Sequence, residues 1–291
     1  MRPLRVALVI NERKRFPRSV GWWSYDVPEF DVVHIPVSEG TVWSRKRLSR
    51  AGFDVAVWED DKAYGGPSDV GVPVAYVIVD SNLSTPHFQQ RLQCAHRADL
   101  LLIDSDVLQR FRSTGKKIRR FNYCVNDTLA KDWGEQKIVD VCYHAHIRDI
   151  VPRRAAEQAL RRFCYERNLN CMIGKICNGE GYMRAFNRSC ISLHVSSVPQ
   201  TRAHRVFDVM ACRSALLSSQ LPAIEGDDIT AGVHYVDFAR PDDIGKRVEE
   251  LLEGGRWREI AEAGYELVHR RHTWAARARE LREILSQELG L

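Results

Sequence analysis

The sequence predicts an α/β protein made of two Rossmann-like domains, each a parallel sheet covered by helices on both faces. Short runs rich in Val, Ile and Leu alternate with segments of helical period, and the polar stretch 126–136 divides this series into two. Right-handed crossovers make each half a doubly wound sheet, which binds ligands beyond the carboxyl ends of its strands.

Composition sets limits on the class of protein. The chain has 291 residues, of which 44% are hydrophobic and 28% charged, as in soluble globular proteins. No apolar run is long enough to span a bilayer, and the first fifteen residues lack a signal-peptide pattern. We therefore expect a cytoplasmic protein without a membrane partner, as a monomer or weak dimer. The net charge of +5 permits a polyanionic partner without requiring one.

The eight cysteines lie singly, and none forms a C-x-x-C pair. Most of them fall within apolar strand or helix patterns. This predicts reduced thiols in the protein core.

The first domain is predicted to span residues 1–130. An additional strand at 116–125 is left open. The five predicted strands are Arg5–Ile10, Phe30–Val37, Phe53–Glu59, Val72–Val79 and Ala98–Asp104, with helices at Thr41–Arg50, His87–Arg97 and Ser105–Ser113.

The second domain is predicted to span residues 137–270, with a terminal helical segment at 271–291. The strands are Lys137–His144, Asn168–Gly174, Cys190–Val195, the run that ends at Ser219 and Val233–Phe238, with helices at Arg154–Arg167, Tyr182–Phe186, Ala203–Cys212, Asp242–Leu252, Arg256–Arg270 and Trp274–Leu289.

The stretch from Ser189 to Ser219 organises the second domain as strand, loop, helix and strand. Arg205 and Asp208 lie one turn apart on the predicted exposed face of the helix, where their side chains can meet. The unpaired N–H groups at the start of such a helix can bind a phosphate. An ordinary amphipathic helix with a surface ion pair is the alternative. The apolar face consists of Val206, Phe207, Met210 and Ala211.

This stretch resembles the CgeB-like (spore-maturation-protein-like) glycosyltransferases, which are related to the group 1 glycosyltransferases. The residues from Arg205 to Asp208 resemble the Arg-x-Phe-Glu helix of that family, and the three from Ala211 to Arg213 resemble its Ala-Cys-Gly. His272–Leu285 resembles the closing helix. Asp208 replaces a glutamate, Arg213 replaces a glycine, and Gln200 stands where group 1 relatives carry a second glutamate.

The resemblance implies a GT-B fold with a cleft between its two domains, and a last helix that crosses back onto the first domain. Packing of that helix on its own domain is the alternative. It also implies a hexosyltransferase-type enzyme that uses a nucleotide-sugar, UDP-linked donor as co-substrate and needs no cofactor. A nucleotide or nucleic-acid binding module without activity, and a sugar-nucleotide epimerase, remain competing interpretations of the same fold.

Several residues are candidates for donor binding in the second domain. The loop Gly174–Gly181 lets backbone amides approach a ligand, although a structural turn explains it equally well. His146 falls where the first loop of this domain meets the cleft. The full set of donor-binding candidates is Arg205, Asp208, Gly179, Gly181, His146 and Arg202.

One predicted strand offers a candidate metal site. Cys142, His144 and His146 alternate there and share a face, so they could ligate zinc. No second ligand cluster follows at a suitable spacing. The pattern favours buried polar side chains at a strand end, and we expect no metal.

A general base is expected at the cleft edge of the first domain. Asp80 ends a strand and begins a turn, and the family resemblance places an acid near this point. Capping of the turn or of the next helix is the alternative interpretation of Asp80. Glu59, with Asp60 and Asp61, and more weakly His87, are rival candidates.

The acceptor is expected on the first domain, where a basic and aromatic segment follows the first strand. Arg13, Arg15, Trp22 and Trp23 combine cations with rings, which suits a phosphate backbone and an exposed base. A hydroxymethylated pyrimidine in DNA is therefore one acceptor hypothesis. A solvated loop, with a cell-surface glycan or a small molecule as acceptor, is the alternative.

Overall fold

The computed structural model describes residues 2–10, 23, 25–36, 47–59, 70–78, 85–104, 106–145, 151–174, 179–196, 202–224 and 226–291. Within these ranges the chain forms two compact units. Unit 1 contains the described residues up to Asn122 together with Trp274–Leu291, and unit 2 runs from Tyr123 to Thr273.

Unit 1 contains a six-stranded parallel sheet in the order β2-β1-β3-β4-β5-β6. Its central strands are buried on both faces, which explains their nearly continuous apolar sequence. The strands are β1 (Leu4–Ile10), β2 (Phe30–Pro36), β3 (Val55–Glu59), β4 (Val74–Ile78), β5 (Leu100–Ile103) and β6 (Lys117–Arg120), and the described helices before unit 2 are α1 (Arg47–Arg50), α2 (Thr85–Ala95) and a 3₁₀ helix at Asp106–Thr114.

Unit 2 contains a five-stranded parallel sheet in the order β11-β10-β9-β7-β8. Its strands are β7 (Val139–His144), β8 (Cys171–Gly174), β9 (Ser189–His194), β10 (Ala215–Ser219) and β11 (Val236–Phe238). Its helices are α3 (Val151–Glu166), α4 (Glu180–Asn187), α5 (His204–Ala211), α6 (Ile244–Leu252) and α7 (Trp257–Arg271), with short 3₁₀ turns at Pro241–Asp243 and Glu253–Gly255.

The strand order of unit 2 reverses at β7. The chain passes from β7 to β8 on one side and then returns to β9 on the other side. The crossovers on the two sides of such a point diverge and leave a crevice at the carboxyl ends of the strands. In unit 2 this crevice lies where β7 and β9 end.

The two faces of β7 and β9 bury different kinds of side chain. Val141, Tyr143, Ile191 and Leu193 join the apolar core that includes residues of α3 and α6. The alternate positions carry the polar or sulfur-containing residues Cys142, His144, Ser192 and His194, all of them buried. The second face of this sheet therefore becomes polar toward its carboxyl edge.

The last helix, α8 (Trp274–Leu289), belongs to unit 1. Trp274 is fully buried, with its ring centroid 4.9 Å from that of Trp23 and 6.4 Å from that of Phe30. Its indole Nε1 donates a 2.9 Å hydrogen bond to the carbonyl oxygen of Tyr25. At the other end of the helix, Glu288 pairs with two basic residues of β6, Lys117 and Arg119.

The predicted fold class is confirmed, since both units are parallel α/β sheets. The strand left open at 116–125 forms as β6, and the helix predicted from Ser105 is a 3₁₀ helix. Of the helix predicted at 41–50, the described residues are Arg47–Arg50. No helix among the described residues is both long and apolar enough to cross a membrane.

The prediction that all cysteines are reduced is wrong for one pair. Cys164 of α3 and Cys171 of β8 form a disulfide. The two cysteines are seven positions apart, and the turn between helix and strand brings their sulfur atoms together, a contact that spacing alone did not reveal. The other described cysteines, Cys94, Cys124, Cys142, Cys190 and Cys212, are not part of a disulfide.

Candidate functional site

Two histidines lie at the carboxyl edge of unit 2, where the strand order reverses. The pairing of Cys142 with Ser192 places His144 and His194 at the same level of neighbouring strands and on the same face. The His144 ring meets the Tyr182 ring edge-on, with centroids 4.8 Å apart. His194 is fully buried, and neither of its ring nitrogens has a hydrogen-bond partner among the described residues.

A buried carboxyl lies beside the Tyr182 hydroxyl. The Tyr182 hydroxyl of α4 donates a 3.2 Å hydrogen bond to Oδ2 of Asp208 on α5, and the Arg205 guanidinium reaches the same hydroxyl. Burial raises the pKa of Asp208 well above its usual range, while Tyr182 and Arg205 oppose that rise. Oδ1 of Asp208 has no partner within the described structure. The carboxyl therefore keeps one oxygen available for a ligand hydroxyl.

The position of Asp208 corrects the sequence analysis. That residue was predicted on an exposed face of its helix, but its side chain is fully buried. The face that was predicted to meet solvent is covered by α4, whose Tyr182 packs over it. The apolar face was predicted correctly, because Val206, Phe207, Met210 and Ala211 are all buried.

Two arginines give the site positive charge. Arg153, in the first turn of α3, is 7% exposed and donates from Nε to the carbonyl oxygen of Val195 at 3.1 Å. Burial lowers the pKa of Arg153, and repulsion by Arg205 lowers it further. Burial also raises the pKa of Tyr143 above its usual range, and both arginines oppose that rise. Two guanidinium groups thus lie close enough to repel each other at one sheet edge.

The histidines near these arginines remain neutral. Burial lowers the pKa of His194 well below its usual range, and the charges of Arg205 and Arg153 lower it further. Burial and Arg205 lower the pKa of His204 to about 4. At neutral pH the positive charge of this edge therefore resides on the arginines, and the imidazoles provide uncharged donors and acceptors.

Two helices begin at this edge, each preceded by a residue that makes no side-chain cap. Gly179 precedes α4 with φ of 60°, a backbone conformation that favours glycine, and Ala203 precedes α5. Gly181 lies in the first turn of α4 rather than in the loop where it was predicted. The first-turn N–H groups of both helices lack side-chain cap bonds and are suited to an anion.

Arg202, a predicted donor contact, has partners within unit 2. Its guanidinium pairs with the buried carboxylate of Asp227 and donates to the carbonyl oxygen of Pro222 at 2.7 Å. The carboxylate of Asp227 therefore neutralises the charge of Arg202 inside unit 2. The sequence pattern did not predict this ion pair, because the two residues are 25 positions apart. Its place in the structure is to hold the segment that leads into α5.

Other predicted site residues are distributed as follows. Asp80, His146, Arg13, Arg15, Trp22 and Gln200 lie outside the described residues. Glu59 is the last residue of β3 in unit 1. Trp23 is partly exposed and packs against Phe30 and Trp274 within unit 1. Among the residues that the structure describes, no three His, Cys, Asp or Glu side chains converge as metal ligands.

Four residues of the site were not identified from the sequence. Tyr143 and His194 lie at strand ends, so the rule that ligands bind at the carboxyl edge of a parallel sheet could have selected them. Arg153 and Tyr182 gave no comparable signal, because their approach to the site depends on how α3 and α4 pack.

Comparison with protein families identifies this chain. A family model described as "Glycosyl transferase-like" matches residues 110–283, more than half of the chain. The chain belongs to the glycosyl transferase-like family. Comparison with curated protein sequences finds no match.

Solved structures agree on the fold. HepE from Anabaena in complex with UDP and glucose superposes with a TM-score of 0.66 at 10% identity, covering 98% of this chain and 100% of that one. Sucrose-phosphate synthase from Thermosynechococcus elongatus gives 0.64 at 12% identity, covering 99% of each chain. A UDP-N-acetylglucosamine 2-epimerase-like protein from Listeria monocytogenes gives 0.62 at 10% identity, covering 99% and 97%.

The fold is therefore GT-B, as predicted. Family and fold together define a glycosyltransferase-type protein. Proteins described as a synthase and as an epimerase share this fold. The fold alone therefore does not identify the reaction that this protein catalyses.

Proposed function

We propose that this protein transfers a sugar from a UDP-linked donor to an acceptor hydroxyl, with the donor bound at the carboxyl edge of the unit 2 sheet. The observation that carries this proposal is the pair of mutually repelling arginines, Arg153 and Arg205, at the point where the strand order reverses. Like charges held close together at a partly buried site favour the binding of an anion. A diphosphate supplies two or more negative charges and relieves that repulsion.

Each part of the donor has a candidate partner. Arg205 and the N–H groups at the starts of α4 and α5 bind the diphosphate, with Gly179 and Gly181 allowing close approach of the backbone. Asp208 accepts a hydrogen bond from a ribose hydroxyl through Oδ1. His146 remains a proposed diphosphate contact. Arg202 acts indirectly, by holding the segment before α5 through Asp227.

The proposed chemistry is mainly electrostatic. Arginine and helix N–H groups stabilise the negative charge that develops on the departing diphosphate. A carboxylate of the first domain accepts the proton of the acceptor hydroxyl, with Asp80 proposed for this role and Glu59 as the alternative. No divalent metal is required in this scheme.

The nucleotide is proposed to be UDP because HepE, which shares the fold, is described in complex with UDP and glucose. A hexose as the transferred sugar, membership of the CgeB-like subgroup and a cytoplasmic monomer or weak dimer are finer proposals. The assignment to the CgeB-like subgroup is supported by the resemblance of Arg205–Asp208, Ala211 and Cys212 to its sequence pattern. The chain departs from the subgroup at Asp208 and Arg213, which replace a glutamate and a glycine.

The proposed acceptor is a hydroxymethylated pyrimidine in DNA, on the basis of the basic and aromatic segment that includes Arg13 and Trp22. The one described residue of that set, Trp23, packs on Phe30 and Trp274, so base stacking is assigned to Trp22. A cell-surface glycan or a small molecule is the alternative acceptor. DNA binding through phosphates weakens steeply with salt, whereas binding of a neutral sugar does not.

Donor turnover tests the function. The protein is incubated with UDP-glucose and UDP-N-acetylglucosamine, alone and with hydroxymethylated duplex DNA, simple sugars or peptides, and released UDP and products are measured. We expect UDP release that an acceptor accelerates and EDTA leaves unchanged. An intact donor that nevertheless binds would indicate a binding module. Formation of an epimeric sugar without transfer to an acceptor would indicate an epimerase. Activity that EDTA abolishes and manganese restores would contradict the metal-free scheme.

Salt and the acceptor variants test the DNA proposal. Transfer to DNA is compared at two salt concentrations in the wild type and in Arg13→Ala with Arg15→Ala. We expect DNA affinity to fall with salt and to fall again in the double variant. Transfer to a sugar or peptide that depends neither on salt nor on Arg13 and Arg15 would exclude DNA as the acceptor. The proposed use of a UDP-linked donor would still hold.

A further inference from the structure

His194 presents a buried polar group that the fold leaves without a partner. Its side chain is fully buried at the end of β9, and both Nδ1 and Nε2 lack hydrogen bonds among the described residues. Buried polar atoms are almost always paired, because an unpaired one loses its bonds to water and gains none. Two unpaired nitrogens on one ring therefore indicate a missing partner.

The neighbouring residue on the same face shows the contrast. Ser192, two positions earlier on β9, is also fully buried, and its hydroxyl lies 2.8 Å from the hydroxyl of Ser214. The same strand thus satisfies a polar side chain near its middle and leaves one unsatisfied at its carboxyl end. The difference coincides with the crevice where parallel sheets bind ligands.

The surroundings of His194 specify the kind of partner. Burial lowers the pKa of His194, and the charges of the nearby Arg205 and Arg153 lower it further, so the ring is neutral. A neutral imidazole has one N–H donor and one accepting nitrogen. The guanidinium groups can only donate, so they cannot satisfy the N–H. An anionic oxygen attracted by the two arginines can satisfy it.

We propose that His194 is a donor-binding residue of this protein, whose neutral imidazole donates its N–H to a diphosphate oxygen of the nucleotide sugar and accepts a hydrogen bond from a donor hydroxyl at its second nitrogen. This deepens the proposed function and depends on it. Arg153 and Arg205 supply the charge that attracts the diphosphate, while His194 fixes the position of one oxygen.

The test compares variants that keep or remove this pair of bonds. His194→Leu removes both, and His194→Gln retains one donor and one acceptor group in a side chain of similar reach. UDP and UDP-glucose affinities are measured by calorimetry for each full-length variant, and unfolding by urea is measured in parallel. We expect His194→Leu to weaken both ligands by about tenfold, and His194→Gln to recover part of that loss.

Ser192→Ala is the matched control. It lies on the same strand and face, and its hydroxyl has a partner within the protein. We expect Ser192→Ala to lower the urea midpoint and leave ligand affinity unchanged, whereas His194→Leu should leave the urea midpoint unchanged or raise it. This crossed result would separate ligand binding from a structural role of His194.

The outcomes distinguish this inference from the proposed function. Wild-type protein that binds neither UDP nor UDP-glucose would overturn both. Wild-type binding that persists unchanged in His194→Leu, while Arg205→Ala weakens it, would overturn the role of His194 alone. If His194→Leu fails to fold, His194→Gln decides: a partial loss of UDP affinity with an unchanged urea midpoint supports the proposal, and affinity equal to that of the wild type overturns it.

Discussion

Buried polar side chains at the two edges of the unit 2 sheet are paired to different extents. At the amino edge, Lys137 donates to the carbonyl oxygens of Phe186 and Cys212, and Asn187 makes three hydrogen bonds to neighbouring backbone. At the carboxyl edge, His194, the Tyr143 hydroxyl and Oδ1 of Asp208 have no partner among the described residues.

This contrast separates stability from function within one sheet. Partnered buried groups fix the arrangement of the helices, whereas unpartnered buried groups cost stability and persist where a ligand completes them. Substitutions at the amino edge should therefore affect unfolding, and substitutions at the carboxyl edge should affect binding. The predictions below test this division, starting with the largest effect.

Asn187→Ala should have the largest effect on unfolding. The side chain accepts from the N–H of Trp133 at 2.8 Å and donates to the carbonyl oxygens of Lys131 and Met183 at 3.0 and 3.1 Å. Its loss leaves several buried groups unpaired, so we expect the free energy of unfolding to fall by about 2–4 kcal/mol. Urea denaturation measures this, and UDP affinity of the folded variant is expected to equal that of the wild type. A loss below about 0.5 kcal/mol would contradict the assignment of this edge to stability.

Arg205→Ala should have the largest effect on binding. Loss of a charge-assisted hydrogen bond to diphosphate is expected to weaken UDP binding by about 1.5–3 kcal/mol, with the fold retained. Calorimetry with UDP measures this. Arg184→Ala is the matched control, because that arginine lies on α4 and pairs with Glu135 and Glu180 at the surface. Equal UDP affinity in wild type and Arg205→Ala would remove Arg205 from the site.

The lowered pKa of His204 should make the stability of the protein depend on pH. In the unfolded chain His204 binds a proton near pH 6.5, but in the folded protein only near pH 4. The unfolded state therefore binds more protons between these values, and stability falls as pH falls from 6.5 toward 4. Because the His204 ring is partly exposed, we expect a loss on the order of 1–2 kcal/mol.

His204→Gln isolates this contribution from that of Asp208, whose raised pKa acts in the opposite direction. Urea unfolding of both proteins between pH 5 and 8 gives the difference. The wild type should lose more stability than the variant on acidification, and parallel curves would show that His204 does not contribute.

Arg213 tests how the amino edge tolerates strain. It has a positive φ of 51° directly after α5, the position where the family resemblance places a glycine, and its guanidinium pairs with Asp132 and Glu262. Arg213→Gly loses the ion pairs but removes the backbone strain, and Arg213→Ala loses the ion pairs and keeps the strain. We expect the alanine variant to be less stable than the glycine variant by about 1 kcal/mol in urea. Equal stabilities would show that the backbone is not strained there.

Two tyrosines give the smallest and most direct comparison. The Tyr143 hydroxyl has no described partner, so Tyr143→Phe should change the free energy of unfolding by less than about 0.5 kcal/mol. Tyr182→Phe removes the bond to Asp208 and should cost about 1 kcal/mol. Thermal unfolding of both variants makes the comparison, and a larger loss for Tyr143→Phe would reverse the division between paired and unpaired groups.

Most of the fold could be predicted because strands and helices are local patterns. The runs Val139–His144 and Ser189–His194 were found within two residues, and α8 was found at its observed bounds. The helix of Arg205 and Asp208 was also found, together with its apolar face.

The site was predicted only in part, because burial of polar groups depends on packing between distant segments. The sequence predicts Asp208 on the exposed face of its helix. In the structure Tyr182, 26 residues away, covers that side chain. Arg202 was predicted to contact the donor, and its ion pair with Asp227 could not be predicted from the sequence. Arg153 joins the site only through the path of α3, which the sequence does not specify.

The position of α8 in unit 1 has a consequence for biosynthesis. Ribosomes deliver the chain from its amino end, so the strands that begin at Leu4 and Phe30 emerge long before Trp274, the residue that closes over Phe30. The Tyr123–Thr273 segment of unit 2 emerges in full before unit 1 is complete. Phe30 therefore has Trp23 but not Trp274 beside it throughout most of translation, an interval in which a nascent-chain chaperone would find an apolar surface to bind.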